Sequence, residues 1–536
     1  MDRRYWTGIV ALAVVSLAFQ ARAQARPCSQ LTQFSAPETA IASAEDVPAG
    51  NAAAGAQHVP PFLANLRLPA FCEVRGSIDA RTGADGARYA IDFDLRLPQN
   101  WNGKFLFQGG GGLDGIVQPA IGLAGSGGPP ALVRGYAVVS TDSGHQGPAN
   151  TQFGHEQQAR LDFAYASIGK VARVAKAILL AYYGRPERHS YFAGCSSGGR
   201  EAMIAVQRYP LEFDGAIAGD PGFDLSHAAI GEAWDTETFL AIAPRGPDGR
   251  PILSEAFSQA DLDLVSHAVL KQCDRLDGLA DGEINNIEAC KFDPAVLLCK
   301  QGDSQECLSQ EKVTALKRVF DGAHDSAGRA IYASWPYDAG IAAPDWRGWK
   351  LGTSTNSTPN AVNATLGAGA LKEYFVHPYV ASLDPFDIDF DKIGGEVAET
   401  RAINDAVSTD LSTFAARGGR LIVYQGSSDP VFSANDIVGY YNRFIQASGG
   451  MEKAQSVARL FLVPGMTHCQ GGPSTDRFDA LGALERWVEK DDAPASITAS
   501  GQAFPGRTRP LCPYPQYASY KGSGDPQQAA SFTCVP

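Results

Sequence analysis

Residues 190–199 read Ser190-Tyr191-Phe192-Ala193-Gly194-Cys195-Ser196-Ser197-Gly198-Gly199. Ser190 to Ala193 has the apolar, aromatic composition of a buried strand, and Glu201 to Arg208 continues as a helix. Between them two glycines frame a serine as Gly194-x-Ser196-x-Gly198. A strand that turns directly into a helix is too crowded at that corner for larger side chains, which is why glycine flanks the serine. The hydroxyl of Ser196 is then exposed at a helix N-terminus, where unpaired N–H groups and the helix dipole favour developing negative charge. This context marks Ser196 as a nucleophile. Ser197 is the alternative, without the symmetric glycine frame.

On either side of this stretch, strand and helix patterns alternate. Phe71 to Ile78, Tyr89 to Leu97, Lys104 to Phe107 and Tyr136 to Ser140 read as strands, and Asp162 to Tyr183 reads as a helix. Phe213 to Ala218 is the next strand. Alternation resumes with Leu421 to Tyr424, a helix from Ser433 to Gln446, the strand Ala458 to Val463 and a helix from Thr475 to Glu489. Such alternation predicts an α/β fold with a mostly parallel sheet and helices on both faces. Residues 222–413 interrupt it. They read as irregular, hold Trp335, Trp346 and Trp349, and are expected to form an inserted domain of roughly 190 residues. The catalytic unit is then 24–221 with 414–536. No internal repeat is visible.

A nucleophilic serine needs a base and an acid that orients it, and in this chain order the acid precedes the histidine. Asp429 lies in Gly426-Ser427-Ser428-Asp429-Pro430, just past one predicted strand. His468 lies in Pro464-Gly465-Met466-Thr467-His468-Cys469, just past the next. His145 is the runner-up base, but it precedes the serine. The oxyanion needs two backbone N–H donors. One belongs to Ser197; the other is expected from the glycine run Gly109 to Gly112, with Gly112 first and Gly111 next.

There are ten cysteines. Proximity along the chain favours Cys273–Cys290, Cys299–Cys307 and Cys512–Cys534. Cys195 immediately precedes the serine and Cys469 immediately follows the histidine. If the serine and histidine meet, these two cysteines meet as well, and a bond between them would hold the two loops in register. Cys28–Cys72 is the remaining pair.

Disulfides belong to oxidising compartments. The N-terminus agrees: basic Arg3 and Arg4, an apolar run from Gly8 to Phe19, and Ala21-Arg22-Ala23 read as an export signal over 1–23. A secreted or periplasmic protein without a membrane span is expected. The composition of 44% hydrophobic and 19% charged residues over 536 positions excludes disordered, collagenous and coiled-coil chains. A net charge of −13 makes nucleic acid a poor partner. The expected partner is a small molecule, and a monomer is expected.

Cys273-Asp274-Arg275-Leu276-Asp277-Gly278-Leu279-Ala280-Asp281-Gly282-Glu283 is an acidic, glycine-turned loop. Its oxygen donors suit a hard cation, expected to be structural Ca2+. Asp274, Asp277 and Asp281 would give carboxylates, and Leu279 and Glu283 backbone carbonyls. The spacing is not that of an EF-hand.

Taken together, Gly194 to Gly199, Gly426 to Asp429, His468-Cys469, the Gly109 to Gly112 run and the acidic loop resemble the tannase and feruloyl esterase family. The resemblance covers nearly the whole chain after the export signal. It implies an α/β-hydrolase core with a large inserted lid, a calcium ion in the lid and a disulfide-joined triad. It also implies esters of aromatic acids as substrates: hydroxycinnamates, gallates or mono(2-hydroxyethyl) terephthalate. No Arg lies between Gly348 and Thr400 to receive a free carboxylate, which lowers the terephthalate branch. Trp346, Phe375 and Phe432 are the expected apolar wall, with Trp346 and Phe432 taken as the substrate contacts. The competing reading is an exported binding module on the same scaffold, and an acyltransferase or peptidase would use the same triad.

Overall fold

The computed structural model describes residues 26–51, 66–125, 127–148, 150–300 and 306–536. The export signal expected at 1–23 lies outside them. One nine-stranded sheet organises the molecule. Its strands are β1 (Thr39–Val47), β2 (Phe71–Thr82), β3 (Arg88–Pro98), β4 (Lys104–Gln108), β5 (Ala137–Thr141), β6 (His189–Cys195), β7 (Gly215–Gly219), β8 (Arg420–Gly426) and β9 (Ala458–Val463). They lie in the order β1-β2-β3-β5-β4-β6-β7-β8-β9. Pairings from β1 to β5 are antiparallel, and every pairing from β5 through β4 to β9 is parallel. Only the central strands are buried on both faces, which is why they read as continuous apolar runs.

Helices cover both faces. α1 (Ser167–Tyr183) and α2 (Ser197–Arg208) lie on one of them. After β7 the chain leaves the sheet for about 200 residues before returning as β8. This insertion is helical where the sequence reads as irregular: α3 (Leu225–Ile242), α4 (Gln259–Cys273), α5 (Gln310–Phe320) and α6 (Pro344–Lys350). For α3 the reason is burial. In α3 the polar Ser226, Glu232, Asp235 and Thr236 are as buried as Ala229, Ile230 and Phe239, so no amphipathic stripe is left to read. Phe239, Phe257, Val265 and Leu316 share a core of their own that reaches down to Leu113 and Phe432. At its far end the insertion is already back on the sheet: Ala406, Leu411 and Phe414 pack with Phe223.

After β8, α7 (Ala434–Ser448) joins α1 and α2, and α8 (Ala480–Lys490) covers the opposite face. The alternation of β8 shows the division. Leu421 and Val423 face the α1 side, and Ile422 and Tyr424 face α8. Five disulfides are present: Cys28–Cys72, Cys195–Cys469, Cys273–Cys290, Cys299–Cys307 and Cys512–Cys534. No helix among the described residues is long and apolar enough to cross a membrane.

Candidate active site

The parallel strands deliver their loops to one end of the sheet, the usual place for chemistry in such folds. Ser196 sits at the corner between β6 and α2 with φ 64° and ψ −126°. Positive φ is strained for a residue with a side chain and is held only by its surroundings. Here the Ser196 N–H donates to the Gly219 carbonyl at 3.0 Å, and its own carbonyl accepts from Arg200 N–H at 3.0 Å. Glycine is needed around it. A Cβ at Gly194 would lie 2.6 Å from the Gly198 carbonyl, and one at Gly198 would lie 2.7 Å from the Gly110 carbonyl.

Asp429 and His468 follow β8 and β9. The Asp429 carboxylate is buried and fully used. Oδ1 accepts from the N–H groups of Val431 at 2.7 Å and Phe432 at 3.2 Å. Oδ2 accepts from Gln425 Nε2 at 2.9 Å and faces His468 Nδ1 at 2.9 Å. A proton on Nδ1 satisfies that contact, and Nε2 is then the ring nitrogen free to accept one. Nε2 is buried and has no hydrogen-bond partner among the described residues. Trp349 and Phe432 each lie nearly perpendicular to the imidazole, with ring centroids 5.0 and 5.4 Å away. Cys195–Cys469 brings the adjoining Cα atoms to 6.0 Å, tying the serine loop to the histidine loop.

Ser196 opens into a pocket that it shares with Gly112, Ser197, Trp349, Phe375 and Phe432. Gly112, at φ 61°, is held by its carbonyl, which accepts from the Ser197 hydroxyl. The Gly110 N–H donates to Glu201 Oε2 at 3.0 Å, so α2 carries both the serine and the anchor of the glycine loop. The Ser197 hydroxyl is thus occupied in structure. Its N–H is the first of α2 and has no intrahelical acceptor. Gly111 is exposed and does not line the pocket. His145, the alternative base, is buried behind the glycine loop. It stacks on Phe153 and contacts the Leu113 carbonyl at 2.8 Å through Nε2, and burial pulls its pKa down to about 4.

Trp346 is a correction. It is 3% exposed and belongs to the core of the insertion beside Trp335 and Lys350, not to the pocket of Ser196. Trp349, one turn further along α6, takes that place. Two further residues escaped the sequence reading. Asp220, at the end of β7, accepts from the N–H groups of Gly426 at 2.6 Å and Cys469 at 3.1 Å. Its carboxyl lies against that of Asp429; burial first, then the Asp429 charge, pushes it well above the usual carboxylate range. Glu232 of α3 lines the pocket. Gly219-Asp220-Pro221 reads as an ordinary turn, and α3 carries no pattern that singles out position 232.

The acidic loop closes on itself. Asp274 Oδ1 accepts from the N–H groups of Asp281 and Gly282, both at 3.1 Å. Burial first, and the Asp281 charge after it, pushes Asp274 and Asp277 up. Asp281 also meets Arg509, and the Glu283 carboxylate meets Arg507 at 3.1 Å, so Glu283 has only its main-chain carbonyl to offer inward. Among the described residues the one trio of Cys, Asp, Glu or His donor atoms gathered within 4.8 Å is Cys195, Asp220 and Cys469, whose sulfurs are already bonded to each other. The loop carboxylates stand wider apart. Their oxygen-only chemistry and mutual repulsion fit a large hard cation whose shell main-chain carbonyls complete.

Residues 72–535 match the model of the family described as tannase and feruloyl esterase. The chain belongs to this family. A mono(2-hydroxyethyl) terephthalate hydrolase of Piscinibacter sakaiensis is 43% identical to it, covering 89% of this chain and 86% of the relative. A probable feruloyl esterase of Arthroderma benhamiae is 30% identical over 82% of this chain and 81% of its own. The crystal structure of feruloyl esterase B from Aspergillus oryzae superposes with a TM-score of 0.79 at 25% identity, covering 95% of this chain and 99% of that one. As a member of the tannase and feruloyl esterase family, the protein is a carboxylic ester hydrolase with an α/β-hydrolase core.

Proposed function

We propose that this tannase-family esterase hydrolyses small aromatic-acid esters through Ser196, His468 and Asp429. The observation that carries the reading is His468, held at Nδ1 by Asp429 with an unpartnered Nε2 between two pocket rings. Ser196 Oγ attacks the ester carbonyl carbon while Nε2 takes its proton. The negative charge that forms on the carbonyl oxygen is received by the N–H groups of Gly112 and Ser197. The C–O bond to the alcohol breaks and the alcohol leaves with the proton from His468. Water then attacks the acyl-enzyme, gives its proton to Nε2, and the acid is released as Ser196 regains its hydrogen. Asp429 steadies the imidazolium that forms.

Phe375, Phe432 and Trp349 suit a flat aromatic acyl group. The pocket lining includes no Arg or Lys, so a neutral ring such as a feruloyl group is the first choice. The second reading is hydrolysis of gallate esters or of mono(2-hydroxyethyl) terephthalate; the terephthalate monoester is favoured by the 43% identity to a hydrolase named for it. The acidic loop would hold a structural Ca2+ through Asp274, Asp277, Asp281 and the carbonyls of Leu279 and Glu283. Five disulfides support export to the periplasm or beyond.

The test is hydrolysis of methyl ferulate, methyl gallate and the terephthalate monoester by wild type and Ser196→Ala side by side. Turnover of one ester that drops by several orders of magnitude in the variant supports the mechanism and names the branch. A variant with wild-type turnover removes Ser196 as nucleophile.

A further inference from the structure

α3 presents Leu225, Ala229 and Glu232 to the pocket that holds Ser196. The i, i+4, i+7 spacing puts them on one face of the helix. Two are apolar, as the pocket requires. The third is a carboxylic acid among Phe375, Phe432, Trp349 and Leu366. Glu232 is 4% exposed, and its Oε2 is buried without a hydrogen-bond partner among the described residues. Leaving such an oxygen unpaired is destabilising. A pocket wall of leucine would avoid that cost, so the carboxyl points to a partner that the described residues do not supply.

The surroundings favour the protonated form of this carboxyl and hold it in place. Burial pushes Glu232 well above the usual carboxylate range; Lys350 opposes the shift, and Asp235 and Asp429 add to it. The Lys350 charge is already matched by Asp235 in a buried ion pair. Gly367 lies directly against Glu232: a Cβ there would sit 1.2 Å from Oε2. Any side chain at 367 would drive the carboxyl out of its position.

We propose that Glu232 is a specificity-determining residue whose carboxyl group hydrogen-bonds a hydroxyl on the ring of the substrate's acyl group. The assignment rests on the esterase reading of Ser196 and deepens it by naming the class: phenolic acyl esters over unsubstituted ones. A neutral carboxyl donates through its O–H and accepts through its other oxygen, and a phenol does both in return. A ring carboxylate could only accept, and it would bring its charge towards Asp429. A pocket built around a buried polar group also rejects the analogue that lacks the hydroxyl, because the group is then left unpaired.

The experiment compares kcat/KM for methyl 4-hydroxycinnamate and methyl cinnamate, which differ only in the ring hydroxyl. Wild type is expected to favour the hydroxylated ester by about tenfold or more. Glu232→Leu brings the ratio close to one by losing the hydroxylated ester selectively. Glu232→Gln, which still donates and accepts, keeps part of the preference. A wild-type ratio near one, or an unchanged ratio in Glu232→Leu, overturns the role of Glu232 while leaving the esterase reading intact. Loss of both turnovers in both variants makes Glu232 a structural carboxyl and overturns it too. Wild type that hydrolyses neither ester removes the reading of the pocket itself.

Discussion

Cys195 and Cys469 are bonded across 274 residues of chain, and they flank Ser196 on one side and His468 on the other. The sheet does not supply this proximity. β6 and β9 are separated by β7 and β8, which at the usual spacing is about 14 Å. Both loops must therefore reach over two strand ends, and the disulfide fixes where they meet. Cys469 has φ 65°, so the histidine loop is strained at the bond.

Removing that bond should separate alignment from folding. In a Cys195→Ala, Cys469→Ala double variant, kcat is expected to fall by about tenfold to a hundredfold, because a shift of about 1 Å between reacting groups has that effect. Stability should fall by about 2–5 kcal/mol for so long a loop. Turnover is measured well below the melting temperature of the variant. Wild-type kcat in the folded variant would leave the bond with a purely structural role.

Asp429→Asn tests the tautomer of His468. The amide presents either an oxygen that accepts from Nδ1–H or an N–H group that forces the proton to Nε2. Gln425 Nε2 already donates to the same carboxylate oxygen at 2.9 Å, so an amide oxygen there is held in place only if Gln425 keeps its orientation. The expected loss in kcat is about 10³–10⁴ with little change in fold stability. A loss below tenfold would show that the Asp429 carboxylate is not what orients the imidazole.

Asp220 itself gives a pH dependence. Burial, and the Asp429 charge after it, raises its pKa well above the ordinary 3.8. The native state therefore keeps this proton at pH values where the unfolded chain has lost it. The stability contributed by the neutral acid is complete below about pH 4 and is lost as pH rises towards the native pKa. Asp220→Asn is neutral throughout and still accepts from one of the two N–H groups. Urea midpoints taken from about pH 4 upward should fall for wild type relative to the variant. Parallel curves would mean that Asp220 is ionised in the folded protein.

The strand-end positions of the candidate residues were legible in the sequence, and their tertiary surroundings were not. Ser196, Asp429 and His468 each sit just past an apolar strand beside a diagnostic glycine or cysteine, so neighbours in the chain announce them. The disulfide pairing followed from the same positions. Trp346 and Trp349 are three residues apart on α6, and only the docking of the insertion determines which ring meets His468. Asp220 draws its partners from Gly426 and Cys469, more than 200 positions away. β1 escaped notice because Ala44 is its one buried residue, which leaves no apolar alternation to follow.

Calcium would act on stability more than on chemistry, because the acidic loop is clasped by Arg507 and Arg509 of the C-terminal segment rather than by the pocket. With the cation absent, Asp274, Asp277 and Asp281 repel one another on a loop pinned by Cys273–Cys290. A cation that binds only the folded loop stabilises it by about 3 kcal/mol at a hundredfold excess over Kd. Chelation should therefore lower the melting temperature by several degrees, and added Ca2+ should restore it. Mg2+ should restore less, since it demands a smaller octahedral shell. Asp277→Asn should remove most of the response to Ca2+, because Asp277 is the buried one of the three loop aspartates. The kcat of the chelated enzyme, measured below its lowered melting temperature, should change by less than a factor of about ten. Melting curves that ignore millimolar Ca2+ would make the loop a self-sufficient turn held by its disulfide and the two arginines.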